Sequence, residues 1–234
     1  MIFGKKQRDI EFVDTTRLVY QKIPVQLARE VKPKYFEEQK KNSGKILFSH
    51  CPGMFDQYKF GYIIPAWTDI HIKANKAGCV VILGGSRGSP FLPPTRMNSS
   101  IVDGIFKPEG IDLSVWHVPS PWSVQTKKDI SALVNSPVFH WSFNDDIHVW
   151  PGIVDYKNFS TINFIFSPKR GCEITIPAGE PLLHVMPFFN KDISGGFGPA
   201  TQEQIDSHKY QIVSSEKQSY RKRLQTVKKF FLND

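Results

Sequence analysis

The stretch from residue 45 to residue 190 constrains the fold most strongly, because it consists almost entirely of short β-prone segments. These segments are rich in aromatic and β-branched residues and are separated by Gly, Pro and Asn. The stretch lacks the 3.6-residue periodicity of amphipathic helices. Short strands with frequent turns are typical of antiparallel sandwiches and barrels, whereas a parallel sheet would need helical crossovers between its strands.

The candidate strands are each bounded by residues that favour turns. They lie at 45–50, 59–67, 68–75, 78–84, 112–118, 137–143, 161–167, 172–177 and 182–189. In the third of them, Ile70 and Ile72 alternate with His71 and Lys73, which predicts one face in a core and the other in solvent. The pattern predicts an all-β protein, an antiparallel jelly-roll or cupin-like sandwich.

Segments of different character flank this stretch and indicate three regions. Residues 1–44 are predicted to form an N-terminal extended arm and a short helix, in which Pro33 suits the first helical turn. Residues 45–190 form the predicted β-sandwich core, and residues 191–234 form a linker and a C-terminal helix. Within the core, residues 84–110 are rich in Gly and Pro, as long functional loops often are.

The C-terminal region carries helix signals. Thr201 with Gln204, and Ser215 with Gln218, have the spacing of a capping box. Beyond Ser215 the apolar positions recur at helical spacing: Tyr220, Leu224, Val227 and Phe231. The other faces of this predicted amphipathic helix are basic, and they supply candidate contacts to a polyanion or a protein partner at Arg221, Lys222, Arg223 and Lys228.

The net charge of +8 is carried by the two ends of the chain. Residues 1–45 hold 11 basic and 6 acidic side chains, and residues 215–234 hold 6 basic and 2 acidic ones. The residues between them are nearly neutral, with 13 basic and 14 acidic side chains. Basic ends attract polyanions or acidic protein surfaces through long-range forces that salt screens.

Several classes of protein are disfavoured by motifs that the sequence lacks. The three cysteines, Cys51, Cys79 and Cys172, contain no CxxC pair, so neither a disulfide framework nor a zinc knuckle is expected. The seven histidines form no HxH or HExxH motif, and no metal or cofactor is predicted. No apolar run approaches the roughly 20 residues of a membrane span, so no membrane association is expected. The N-terminus lacks the apolar region of a signal peptide.

Polar and aromatic residues of the predicted core are the candidate ligand contacts. Asp145 and His148 lie close together in the sequence, near the mouth expected for a barrel or sandwich. Trp116 and Trp122 flank two prolines and form a rigid apolar patch that could line a pocket for a sugar or base, or a subunit interface. Packing of these rings in the core is the alternative interpretation.

One segment resembles the second sequence motif of the cupins. GCEITIPAG (171–179) has its Gly-x5-Pro-x-Gly spacing, which in cupins forms a strand, a turn and the start of a strand with a metal-binding His. Leu182 stands at the position of that His. The resemblance therefore implies a cupin-like turn without the cupin metal site.

Two segments resemble the trimeric dUTPase and dCTP-deaminase group: GIVDYKNF (152–159) and IPAGEPLLHVMPF (176–188). The resemblance implies a nucleotide ligand, with Asp155 at the position of the Asp that orients a water for attack on phosphate. His184 stands near the position of a Gln on a later strand of that group. The Arg-Ser-Gly phosphate-binding segment of the group is absent from this sequence.

A resemblance that spans most of the chain is carried by five blocks in a fixed order. The blocks are VKPKYFEEQ (31–39), the Cys-Pro segment at 50–72, WHVPSPWSVQT (116–126), GIVDYKNFSTINFIF (152–166) and IPAGEPLLHVMPFF (176–189). Their order is similar to that of a family of uncharacterised proteins of tailed bacteriophages and some bacteria. That family has no established activity, so the resemblance implies a phage context and a β-rich core but assigns no catalytic residues.

Three functions are compatible with these features. The lack of a catalytic constellation favours a non-catalytic phage β-protein that self-assembles or binds another phage or host protein, as a component of the virion or of host takeover. It would then be a homo-oligomer or partner complex in the cytoplasm of the infected bacterial host or in the virion. The alternatives are a nucleotide-binding enzyme or sensor of dUTPase-like or cupin-like type, which leaves enzymatic activity open, and a nucleic-acid-binding accessory protein.

Overall fold

The computed structural model of the protein describes nine parts of the chain. They are residues 9–33, 52–75, 78–84, 90–97, 110–111, 114–137, 140, 145–190 and 198–214. Two compact units divide the chain. The first comprises Met1–Lys34 and Gly61–Asn190, and the second comprises Tyr35–Phe60 and Lys191–Asp234.

The first unit is built from strands. Those among its described residues are β1 (Ile10–Asp14), β2 (Gln26–Leu27), β3 (Tyr62–Pro65), β4 (Ile70–Asn75), β5 (Gly78–Leu83), β6 (Thr95–Arg96), β7 (Trp116–Thr126), β8 (Ile130–Asn135), β9 (Ile147–Val149), β10 (Gly152–Asp155), β11 (Thr161–Pro168), β12 (Glu173–Ile176) and β13 (Pro181–Phe189). A short 3-10 turn, Ala28–Glu30, follows β2. The prediction of a mostly β protein is confirmed.

The strands form three sheets, and every pairing between them is antiparallel. Sheet A has the order β1-β7-β11-β9, with β6 also paired to β7. Sheet B has the order β10-β8-β13-β3-β2. Sheet C has the order β12-β4-β5. Most neighbouring strands are distant in sequence, so the sheets are held together by long-range pairings.

One buried core joins the three sheets. Phe164 and Phe166 of β11 are fully buried and stack with ring centroids 4.6 Å apart. Val185 of sheet B and Ile72 of sheet C belong to the same cluster of buried side chains. Aromatic and β-branched residues dominate this cluster because they bury a large apolar area on a pleated surface.

The predicted alternation along β4 is confirmed. Ile70 and Ile72 are buried, whereas His71 and Lys73 are exposed. The register with β12 places Glu173 opposite Lys73, and the Lys73 Nζ lies 2.8 Å from the Glu173 Oε2. The outer face of sheet C therefore carries a local ion pair beside its apolar edge.

Strand β7 differs from the prediction, which ended a strand at residue 118. It continues through Pro119 and Pro121 to Thr126. Proline cannot donate a hydrogen bond to a neighbouring strand. The two prolines are tolerated because β6 pairs with β7 only up to His117 and β1 only from Trp122 onward. The two prolines therefore lie between the stretches paired with β6 and with β1, where that side of β7 has no partner strand among the described residues.

Other elements of the first unit also depart from the prediction. The strand predicted at 137–143 is wrong at its described residues, because Pro137 and His140 are not in a strand. The nearby strands β8 and β9 were not predicted. Strand β9 is short, and β8 lacks a regular alternation of polar and apolar residues, so the strand pattern in the sequence is weak at both. The predicted strand at 45–50 lies outside the described residues.

The second unit contains two helices among its described residues, α1 (Pro52–Lys59) and α2 (Gln202–Ser214). The capping box predicted before α2 is confirmed. The Gln204 backbone N–H donates to the Thr201 Oγ1 at 3.3 Å, and the Thr201 N–H donates to the Gln204 Oε1 at 2.8 Å. Helix α1 was not predicted, and the strand predicted from residue 59 begins later, with β3.

The helices predicted at 33–41 and after Ser215 fall on residues that the structure does not describe, apart from Pro33. Within the described part of the chain, no helix is long and apolar enough to cross a membrane.

A carboxylate organises the turn that follows β1. The Asp14 Oδ1 accepts hydrogen bonds from the N–H and the hydroxyl of Thr16, and its Oδ2 accepts from the N–H groups of Val19 and Tyr20 at 2.7 and 2.9 Å. Partial burial alone would raise the pKa of Asp14, but these hydrogen bonds outweigh it and lower the pKa from 3.8 to about 2.

Replacing Asp14 with Asn is expected to lower the free energy of unfolding at neutral pH by about 1–2 kcal/mol, because an amide has one acceptor oxygen for these donors. The pKa of Asp14 is lower in the folded chain, so its contribution is present above pH 4 and is lost as the pH falls toward 2. Urea unfolding between pH 2 and 5 should therefore show a flatter pH dependence in the variant. Glu11→Gln, on the exposed face of β1, is the control, and an equal change in both variants would contradict this role.

Candidate functional site

Asp155, a predicted ligand contact, lies at the end of β10 and organises the turn toward β11. Its Oδ1 accepts a hydrogen bond from the Lys157 N–H at 3.0 Å, and its Oδ2 accepts from the Asn158 Nδ2 at 2.7 Å. Its carbonyl also accepts hydrogen bonds from the backbone of Asn158 and Phe159. Both carboxylate oxygens are thus engaged within the turn, as is usual for an Asp that starts one.

His184, another predicted contact, is buried in the middle of β13, where it is paired with Asn135 of β8 and Ile63 of β3. Asp155 and Phe188 lie level with each other in sheet B, in one row of cross-strand neighbours that runs perpendicular to the strands. His184 and Phe188 are four residues apart on β13, so the two rows are about 13 Å apart along the strand direction. The sheet does not bring Asp155 and His184 together.

Both predicted tryptophans lie on the core side of sheet A. Trp122 is 1% exposed and belongs to the core, and Trp116 packs against it. Their indole Nε1 atoms are buried without a hydrogen-bond partner among the described residues. The structure therefore places these two rings in the core, which is the alternative interpretation of the sequence.

His148 and Asp145 lie at the other edge of sheet A. Asp145 is exposed in the turn before β9, and His148 of β9 is paired with Ser167 of β11. The His148 ring meets the Trp150 ring edge-on with centroids 4.5 Å apart, and the Trp150 Nε1 donates to the Ser167 Oγ at 2.9 Å. Burial lowers the pKa of His148 below its usual range, so the ring is neutral at neutral pH.

A small polar cluster surrounds His148 and consists of His148, Trp150 and Ser167. His117 of β7 lies on the same face of sheet A, where its Nδ1 is 3.3 Å from the Thr95 Oγ1. No pattern in the sequence indicates Trp150 and Ser167 as neighbours of His148, because these residues come together only through the pairing of β9 with β11. The Trp116 ring is on the opposite face of this sheet.

The six predicted ligand contacts are therefore dispersed over different faces and sheets of the first unit. The basic contacts Arg221, Lys222, Arg223 and Lys228 lie outside the described residues, and their role stays a prediction. Within the described residues, no group of three or more His, Cys, Asp or Glu side chains is placed to hold a metal ion. Cys79 and Cys172 are not in a disulfide, and burial together with Asp146 raises the pKa of the Cys172 thiol, which keeps it protonated.

No family model, curated protein or solved structure matches this chain.

The edges of the sheets form the second candidate site, because an edge strand can pair with another chain. Among the described strands, β2, β6 and β9 have two or three residues, and β1 carries two acidic residues. Strand β10 ends in Asp155, and β12 carries Glu173. Strand β5 alone among these edges has six residues with no charge and no proline, and its Val80 and Ile82 side chains are 55% and 50% exposed.

Proposed function

We propose that the protein is a non-catalytic β-protein that acts by self-assembly or by binding a protein partner. The observation that carries this proposal is the uncharged edge strand β5, since natural proteins usually protect such edges with charges, prolines or shortness. The use of Asp155 within a turn and the burial of His184 away from it also support a role without catalysis.

We further propose a jelly-roll or cupin-like arrangement for the first unit. Support comes from the path of the chain, which passes from one sheet to another at every step from β7 to β13. Strands β7, β9 and β11 belong to sheet A, whereas β8, β10 and β13 belong to sheet B. Such alternation between two sheets is typical of jelly rolls.

The phage context is proposed from the order of the sequence blocks alone. In that context the protein would act in the virion or in host takeover, in the cytoplasm of the infected bacterial host. The basic ends would favour a polyanionic or acidic partner as a secondary contact.

The test of this proposal is sedimentation velocity over a range of micromolar concentrations, at low and at physiological salt. Self-assembly predicts a species larger than the 26.7 kDa chain that persists at physiological salt. A monomer at every concentration, together with no retained protein from a phage-infected lysate, would contradict the proposal.

A second candidate, nucleotide binding, is favoured by the residue that follows Asp155. Tyr156 is buried, and its hydroxyl has no hydrogen-bond partner among the described residues. Burial raises the pKa of Tyr156 above its usual range, so the hydroxyl stays a neutral donor. An unsatisfied buried hydroxyl is costly and could be satisfied by a polar ligand.

Asp155→Ala separates the structural role of this residue from a ligand-binding role. Loss of two hydrogen bonds in the turn is expected to lower the free energy of unfolding by about 1–2 kcal/mol, as measured by urea unfolding. Asp155→Asn retains one acceptor oxygen and should lose less.

A purely structural role of Asp155 predicts that pyrimidine nucleotides do not raise the melting temperature of the wild-type chain. A rise that Asp155→Asn abolishes would support the nucleotide alternative.

A further inference from the structure

The pairing of β4 with β5 determines which backbone groups of β5 point away from β4. The Gly84 N–H donates to the Asp69 carbonyl at 2.7 Å, and this pair continues the register of the two strands. In an antiparallel ladder the residues that bond to one neighbour alternate with those that point to the other side. Val80 and Ile82 therefore bond to β4, whereas the N–H and C=O groups of Val81 and Leu83 point to the other side, where no strand pairs with β5 among the described residues.

The outer side chains beside this edge are neutral as a group. Val80 lies opposite Lys73, and Lys73 is already paired with Glu173 at 2.8 Å. Ile82 lies opposite His71, whose Nδ1 is 2.8 Å from the Thr175 Oγ1. Among the described residues, the side chains opposite Val80 and Ile82 thus present no unpaired charge that a partner strand would have to match.

We propose that β5 pairs with β5 of a second copy of this chain, in an antiparallel arrangement about a two-fold axis through Val81. This inference rests on the self-assembly form of the proposed function. A second copy is the occupant that fits best, because it presents an equally uncharged strand and because the two-fold arrangement is self-complementary. The three-stranded sheet C becomes one continuous six-stranded sheet across the dimer.

The register follows from the direction of the free groups. With the axis at Val81, the Val81 N–H of each copy donates to the Val81 carbonyl of the other. Leu83 then faces Cys79 of the second copy. An axis at Val81 pairs more of the residues whose backbone groups point away from β4 than an axis at Val80 or Ile82 would. On the outer face, Val80 lies beside Ile82 of the second copy, so two exposed apolar pairs become buried.

The first experiment introduces a charge at the proposed contact. Val80→Lys and Ile82→Lys each bring positive charges to the two-fold contact, and we expect each to weaken self-association by at least about tenfold. Ile153→Lys is the matched control, because Ile153 is 70% exposed on the edge strand β10 and lies outside the contact. Sedimentation velocity measures association, and circular dichroism checks that each variant is folded.

The second experiment tests the register. A chain with Val80→Cys is mixed with a chain carrying Ile82→Cys under mild oxidation, and the disulfide-linked dimer is quantified on a non-reducing gel. The proposed register predicts a mixed dimer in high yield. Val80→Cys alone should stay at the level of the wild-type chain, whose native cysteines provide the background.

The outcomes distinguish this inference from the proposed function. An oligomer that both lysine variants weaken, with the control unchanged and the mixed disulfide formed, supports β5 pairing. An oligomer that the lysine variants leave intact, without the mixed disulfide, overturns β5 pairing while self-assembly stands. A wild-type chain that is monomeric overturns both self-assembly and β5 pairing. A monomer whose β5 pairs with a strand of a different protein overturns the proposal that a second copy of this chain is the partner.

Discussion

Replacement of Phe164 by Ala is expected to lower the free energy of unfolding by about 3–5 kcal/mol. Phe164 has no exposed surface, and it stacks on Phe166 in the cluster that joins all three sheets. Truncation removes the buried ring and leaves a cavity that a β-sheet framework closes poorly. A loss of this size is a large share of the stability of an ordinary domain, about 5–15 kcal/mol.

Phe159→Ala is the matched control for this prediction. Phe159 is 65% exposed in the turn after β10, and its contact with Asp155 is through the backbone, which the substitution keeps. We expect a change within about 0.5 kcal/mol for the control. Urea unfolding followed by tryptophan fluorescence measures both variants. Equal losses in the two variants would contradict the assignment of Phe164 to the shared core.

Gly61→Ala is the second substitution with a large expected effect. Gly61 has a φ of +85°, and a methyl group added there would overlap the Val185 carbonyl oxygen of the neighbouring strand. That strand is fixed by the pairing of Val185 with Tyr62. The left-handed conformation costs about 1–2 kcal/mol for a residue other than Gly, and overpacking adds about 1–3 kcal/mol. The expected loss is therefore about 2–5 kcal/mol.

Gly179→Ala separates these two causes. Gly179 has a similar φ of +90°, but a methyl group there meets no atom within 4 Å. Only the conformational cost of about 1–2 kcal/mol should appear. The comparison uses the urea midpoints of the two variants, provided that the slopes are unchanged. A loss for Gly61→Ala no larger than that for Gly179→Ala would contradict the close approach of β3 and β13.

Local patterns in the sequence predicted much of the β architecture. The alternation of Ile70 and Ile72 with polar residues sufficed for β4, and Thr201 with Gln204 sufficed for the start of α2, because both signals involve residues within a few positions. Strand β7 was predicted too short. The effect of Pro119 and Pro121 depends on which strands lie alongside, and a single segment carries no information on its neighbours.

The candidate sites depended even more on long-range pairing. Asp155 and His184 lie on segments that share one resemblance, which predicts a common site. The register of sheet B instead places Asp155 level with Phe188, four residues from His184 along β13. The apolar run of β5 was recognised as a strand, yet its position at an edge follows only from the order of sheet C. Sequence patterns indicate which residues are in strands, whereas the sheet order determines which of them remain open to a partner.

Native mass spectrometry of the untagged 234-residue chain tests the central claim, action by assembly without chemistry, most directly. The account predicts a closed oligomer whose mass is a whole multiple of the bare 26.7 kDa chain. A monomer at the bare chain mass would contradict self-assembly. A species that retains the extra mass of a nucleotide or a metal ion would contradict action without chemistry and would identify the class of ligand.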